Sequence, residues 1–152
     1  VVFNGDGYSE EWHKEAEKRG LPNLKSTTDA IPVIVRKDSV ELFTKYKVYS
    51  ERELQSRYAI FSEKYVKEVT IEANTMVCMA KTMILPAAIR YQGELAAAVN
   101  ATKAAGVDAG AQLEALRELA DTNAKFQAAT AALEEAAHHH PEGDPYHHAK
   151  YI

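Results

Sequence analysis

Residues Ser50–Gly106 read SERELQSRYAIFSEKYVKEVTIEANTMVCMAKTMILPAAIRYQGELAAAVNATKAAG, and this stretch decides the fold. It opens on Ser50-Glu51-Arg52-Glu53, the spacing of a capping box. In that motif the serine oxygen accepts from the amide of Glu53 while the Glu53 carboxylate reaches back to the serine amide. Apolar side chains then recur at steps of three or four: Leu54, Tyr58, Phe61, Tyr65, Val69, Ala73, Met76, Ala80, Met83, Ala87, Tyr91, Leu95, Ala98, Ala101 and Ala105. That period marks one face of an α-helix. With no glycine or proline before Pro86, it predicts one very long helix, about 80 Å if unbroken from Glu51 to Ala105. Pro86 cannot donate to the carbonyl of Thr82, which predicts a kink near Met83.

Working outward, Gly106-Val107-Asp108-Ala109-Gly110 turns the chain, and a second helix follows from about Ala111. Its seam runs through Leu113, Leu116, Ala120, Asn123, Phe126, Thr130, Leu133 and Ala137, with Asn123 and Thr130 as polar exceptions. So short a turn makes this helix the antiparallel neighbour of the alanine-rich stretch before it. Alanine favours helix and lets backbones approach closely, so the pair reads as a slim hairpin. The segment His138-His139-His140-Pro141-Glu142-Gly143-Asp144 is a loop by composition, and Pro145 suits the first turn of a further helix through Tyr146, His148 and Tyr151. A third helix would cover the apolar stripe that a two-helix hairpin leaves open.

Upstream, the elements are short. Val1-Val2-Phe3 could finish a strand, and Asn4-Gly5-Asp6-Gly7 is a turn signal. Ser9 caps a helix carrying Trp12 and Ala16 on one face, which Gly20-Leu21-Pro22 stops. Thr27 or Thr28 starts a turn containing Pro32, and Asp38 or Ser39 caps a helix through Val40, Leu42, Phe43 and Tyr46. Such pieces need something larger to pack on. The expected architecture is therefore all-α: an up-and-down helical bundle with one very long helix, an antiparallel hairpin and short N-terminal helices. Residues 1–49 form the connector, and residues 50–152 the long bundle whose last helix is incomplete.

The chain has 152 residues, with 18 Lys plus Arg against 22 Asp plus Glu and a net charge of -4. Without a coherent basic patch, nucleic acid is not an expected partner. No apolar run approaches the roughly 20 residues that span a bilayer. Cys78, alone of its type, falls in an apolar helical pattern and reads as a buried thiol in a reducing compartment. The opening on Val1 and the pattern begun at Pro145 read as truncation at both ends.

Few residues suggest chemistry. His138, His139, His140, His147 and His148, with Glu142 and Asp144, are the only concentration of metal-ligand types. Adjacent histidines on a loop point in different directions, so a solvated loop is the ordinary reading and these are weak metal candidates. His13 near Glu10, Glu11 and Glu17 has no nucleophile beside it, and reads as helix surface. Asn4-Gly5-Asp6-Gly7 lacks the acidic ligands of a calcium loop and the lysine of a phosphate loop. The stripe of Tyr58, Phe61, Tyr65, Tyr91, Met76, Met79 and Met83 reads as a packing seam rather than a ligand pocket. Arg57 and Arg90, with Tyr58 and Tyr91 beside them, are the interface candidates, because a guanidinium near an apolar stripe needs carboxylate or carbonyl partners.

Several long runs resemble one family. They are Asn4 to Trp12 (NGDGYSEEW), Glu15 to Leu24 (EAEKRGLPNL), Ser50 to Leu54 with Ser56-Arg57-Tyr58, Ala80 to Gln92 (AKTMILPAAIRYQ), and His148-Ala149-Lys150-Tyr151. In residues and order these resemble the region that follows the catalytic core in type III glutamine synthetases. The resemblance implies a cytoplasmic parent enzyme, assembled as paired hexameric rings, that joins ammonia to glutamate. It implies ATP and magnesium or manganese as the parent's requirements, with a γ-glutamyl phosphate intermediate. Those binding residues belong to the family's upstream catalytic domain, so neither a catalytic nor a cofactor-binding residue carries onto this chain. The chain alone is expected to be inactive, a helical support whose partners are the catalytic domain and neighbouring subunits. The competing reading is an independent helical adaptor that binds a partner helix in an exposed groove.

Overall fold

In a computed structural model, residues 3–139 and 143–152 are described, and among them every regular element is helical. The order is α1 (Glu10–Lys18), α2 (Thr27–Ala30), a 3-10 turn (Ile31–Val35), α3 (Lys37–Lys45), α4 (Glu51–Met79), a π-helical turn (Ala80–Ile84), α5 (Leu85–Ala104), α6 (Gly110–His138) and α7 (Pro145–Tyr151). The all-α expectation holds. The residues of the suggested opening strand, Val1 and Val2, lie outside the described ones, as does His140. Contacts divide the chain into two compact units, Val1–Tyr65 with Gly143–Lys150, and Val66–Glu142 with Tyr151–Ile152. The division falls inside α4, whereas the sequence pattern changes at residue 50.

In the first unit the helix starts follow side-chain chemistry. Ser9 accepts from the amide of Trp12 at 3.2 Å, with Glu10 and Glu11 in the first turn of α1, where the helix dipole favours negative charge. The capping box forms as expected: Glu53 Oε2 accepts from the Ser50 amide at 2.7 Å, and Ser50 Oγ accepts from the Glu53 amide at 3.4 Å. Pro145 opens α7, and Asp144 Oδ1 accepts from the His147 amide at 2.8 Å. α2 starts at Thr27, one of the two expected positions, with Ser26 as its cap accepting from Asp29 N at 3.1 Å. One start departs from expectation. Neither Asp38 nor Ser39 caps α3, which begins at Lys37 with no side-chain cap, because Asp38 turns to the Arg36 guanidinium and the Ser39 amide instead. Lys47 ends α3 at φ 56°, with Val48 N donating to Phe43 O, a reverse turn that a glycine would adopt without steric cost. Leu54 is fully buried, which stabilises this unit by about 1.5–3 kcal/mol.

The second unit is an antiparallel pairing. One arm is the latter part of α4, the π-turn and α5; the other is α6. Gly106, at φ 75°, closes α5 with Gly106 N donating to Lys103 O and Val107 N to Thr102 O. Asp108 Oδ1 then accepts from Gly110 N at 3.2 Å to start α6. Three cross-arm bonds fix the register. Gln112 Nε2 donates to Thr102 Oγ1 at 3.4 Å, Asn123 Nδ2 to Gln92 Oε1 at 2.7 Å, and Lys81 Nζ to Glu134 Oε1 at 2.6 Å.

The break predicted near Pro86 takes the form of the π-turn, closed by Leu85 N–H donating to Ala80 O. A π-turn holds one residue more than an α-turn, so it shifts the downstream phase. The inward side chains accordingly run Ala73, Val77, Ala80, then Leu85, Ala88, Gln92, Leu95, Val99 and Thr102. The uniform stripe drawn through Met83, Ala87, Tyr91, Ala98 and Ala101 is thereby corrected, since each of these is exposed; Met76, ahead of the turn, is exposed as well, because Ala73 and Val77 hold the inward face there. Cys78 is corrected as well: its thiol is exposed, one residue past the inward Val77.

Candidate interaction surface

Arg57 and Tyr58, adjacent on α4 in the first unit, take different roles. The Arg57 guanidinium stacks over the Tyr49 ring, 4.2 Å from its centroid, so it is engaged within its own chain. The Tyr58 ring packs against Tyr146 of α7 at 5.4 Å between centroids, and the Tyr146 hydroxyl donates to Thr28 O at 2.9 Å. Burial, then the nearby Asp144 carboxylate and Tyr146, push the Tyr58 hydroxyl above its ordinary pKa. One turn on, Ser62 is completely buried and donates to Tyr58 O at 2.8 Å. A serine among helical apolar positions gives no sequence sign of that role; its hydroxyl is satisfied by its own helix.

Arg90 and Tyr91 lie on α5 in the second unit, and both are exposed, Tyr91 at 58%. With Ile89 at 53% exposure they form an outward patch of an isoleucine, an arginine and a tyrosine. Arginine and tyrosine are residue types on which protein contacts concentrate binding energy.

The same unit carries an open apolar groove of about 310 Å³ lined by Met76, Met79, Ala80, Ile84, Phe126 and Leu133. Met76 and Leu133 also line the neighbouring recess, where Tyr151 and Ile152 sit with Val69, Ala73 and Ala137. Of the methionine seam expected from the sequence, Met76 and Met79 thus line an open groove rather than a closed core, and Met83 is exposed.

The loop histidines are spread over separate tasks. His138 Nδ1 lies 2.7 Å from Glu134 O, the His139 ring packs on Tyr151 at 4.7 Å, and His147 contributes its amide to the α7 cap. Among the described residues no group of three or more His, Cys, Asp or Glu is placed to hold a metal ion. His13 pairs with Glu10 at 3.5 Å on the surface of α1, and Asp6 forms a turn by accepting from Tyr8 N at 2.9 Å. No helix of the described residues is long and apolar enough to cross a membrane.

Over its described residues the chain is an all-helical module. Its family is specific: residues 1–103 match the glutamine synthetase C-terminal domain, and the chain belongs to that family. Within it the similarity runs to a type-3 glutamine synthetase of Dictyostelium discoideum, 43% identical over 100 residues, and to glutamine synthetases of Butyrivibrio fibrisolvens, 41% over 95, and Bacteroides fragilis, 37% over 95. These matches cover 62–66% of this chain and only 13–14% of each relative's length. The family match ends one residue before α5 does, so α6 and the His148–Tyr151 resemblance lie beyond it.

Proposed function

We propose that this chain is a non-catalytic helical domain of a glutamine synthetase, and that it supports the catalytic domain and joins subunits. The whole protein would convert ATP, L-glutamate and ammonia to L-glutamine, ADP and phosphate, using magnesium or manganese. The described residues do not fit that cofactor set. Phosphoryl transfer needs carboxylates and cations converging on a metal and a phosphate, whereas the described acids are spread along helices and paired locally, as in Lys125–Asp121 at 2.6 Å.

The observation that carries the assembly reading is the exposed Ile89-Arg90-Tyr91 patch on α5, within the matched residues 1–103. The test is ATP-dependent glutamine formation by the full-length protein beside this chain alone. Activity in the full-length protein and none in the chain supports the reading. Activity in the chain alone, or none in either beside an active control enzyme, contradicts it, and the second result favours a helical adaptor.

A further inference from the structure

We infer that the π-turn Ala80–Ile84 is an orienting device: by inserting one residue into the arm it seats Gln92 against α6 and turns Arg90 and Tyr91 outward. The second part rests on the assembly reading above; the first does not.

Before the turn, Ala73, Val77 and Ala80 face inward at steps of four and three. Carried on without interruption, those steps would bring Ile84, Ala87, Tyr91, Glu94 or Leu95, Ala98 and Ala101 or Thr102 inward. Tyr91 would then occupy the seam. The observed step from Ala80 to Leu85 is five, after which the α-helical rhythm resumes through Ala88, Gln92, Leu95 and Val99. One residue is worth about 100° of rotation in an α-helix. That rotation exchanges Tyr91 for Gln92, whose amide oxygen meets the buried Asn123 at 2.7 Å.

Three features hold the extra residue in place. Pro86 lacks an N–H and its ring would crowd the carbonyl of residue 82 in a regular helix, so a wider turn immediately upstream relieves both. Thr82 Oγ1 donates to Cys78 O at 2.7 Å on the turn's leading side, and Lys81 within it reaches Glu134 across the hairpin at 2.6 Å. The arm therefore keeps its inward stripe on α6 both before and after the turn, as the Lys81–Glu134 and Gln92–Asn123 bonds require.

The test uses the full-length protein carrying Cys78→Ser, Gln92→Cys and Asn123→Cys, oxidised and digested, with the 92–123 disulfide peptide measured by mass spectrometry. The cross-link should form in this background, persist when Thr82 is deleted, because a four-residue α-turn then carries Ala80 to Leu85 in the same phase, and fall at least about tenfold when an alanine is inserted after Ala88 in the deletion variant, which rotates residue 92 by about 100°. Loss of the 92–123 link after the deletion overturns the inference, as does a link undiminished by the insertion. Subunit mass by light scattering is read on the same three proteins. If the link behaves as expected while the mass never changes, the orienting device stands and the assembly reading fails.

Discussion

Asn123 Nδ2 donates to Gln92 Oε1 at 2.7 Å inside a hairpin seam otherwise built largely of alanine, leucine and valine. A polar pair in such a seam fixes register, because slipping either arm would leave a buried amide unsatisfied. Asn123→Ala should destabilise the chain by about 1–3 kcal/mol in chemical denaturation followed by circular dichroism. Replacing both residues by leucine should recover most of that loss while permitting alternative registers.

Arg57 is the second case. Its guanidinium over the Tyr49 ring ties the start of α4 to the segment before it. Arg57→Ala should cost about 0.5–2 kcal/mol in the same denaturation experiment. Tyr49→Leu combined with Arg57→Ala should add little, since the two act as a pair.

Lys47 holds a positive φ of 56° at the end of α3, where side chains are strained by roughly 1–2 kcal/mol. Glycine removes that strain but adds freedom to the unfolded chain. Lys47→Gly should therefore stabilise modestly, by up to about 1 kcal/mol, read as a raised denaturation midpoint.

Two groups illustrate the pH dependence of stability, to whose acid limb Glu15, Asp38 and Glu134, held low by Arg19, Arg36 and Lys81, also contribute. The Glu53 carboxyl is held below its ordinary range by the Ser50 amide first and the Ser50 hydroxyl next. Its contribution is present above the unfolded carboxylate value and is lost as pH falls through the lower folded value. Tyr58, raised by burial, acts in the opposite direction: its contribution is present below the unfolded value of about 10 and is lost as pH rises through the folded one. Glu53→Gln, which cannot ionise, should reduce the slope of the acid limb and Tyr58→Phe that of the alkaline limb of a stability-against-pH curve.

Local chemistry made much of this fold legible from sequence. The Ser50–Glu53 box, Pro145 at the start of α7 and the turn around Gly106 are each written in a few adjacent residues. The phase of the long arm beyond Ala80 was not. In an alanine-rich run, steps of three and four can be drawn through several sets of residues, and a one-residue insertion leaves no compositional trace. Pro86 located the disturbance to within a turn but did not reveal that a π-turn would absorb it. The inward turn of Arg57 onto Tyr49 was hidden for a related reason: it depends on how the chain before α4 folds back.

The most direct measurement is the mass, by multi-angle light scattering, of the full-length protein carrying Arg90→Ala and Tyr91→Ala beside the unaltered protein. Truncating hot-spot side chains costs about 2 kcal/mol each, so the account predicts a shift to smaller assemblies, with a subunit dissociation constant raised at least about tenfold. Unchanged mass across dilution, with unchanged glutamine-forming activity, would contradict it.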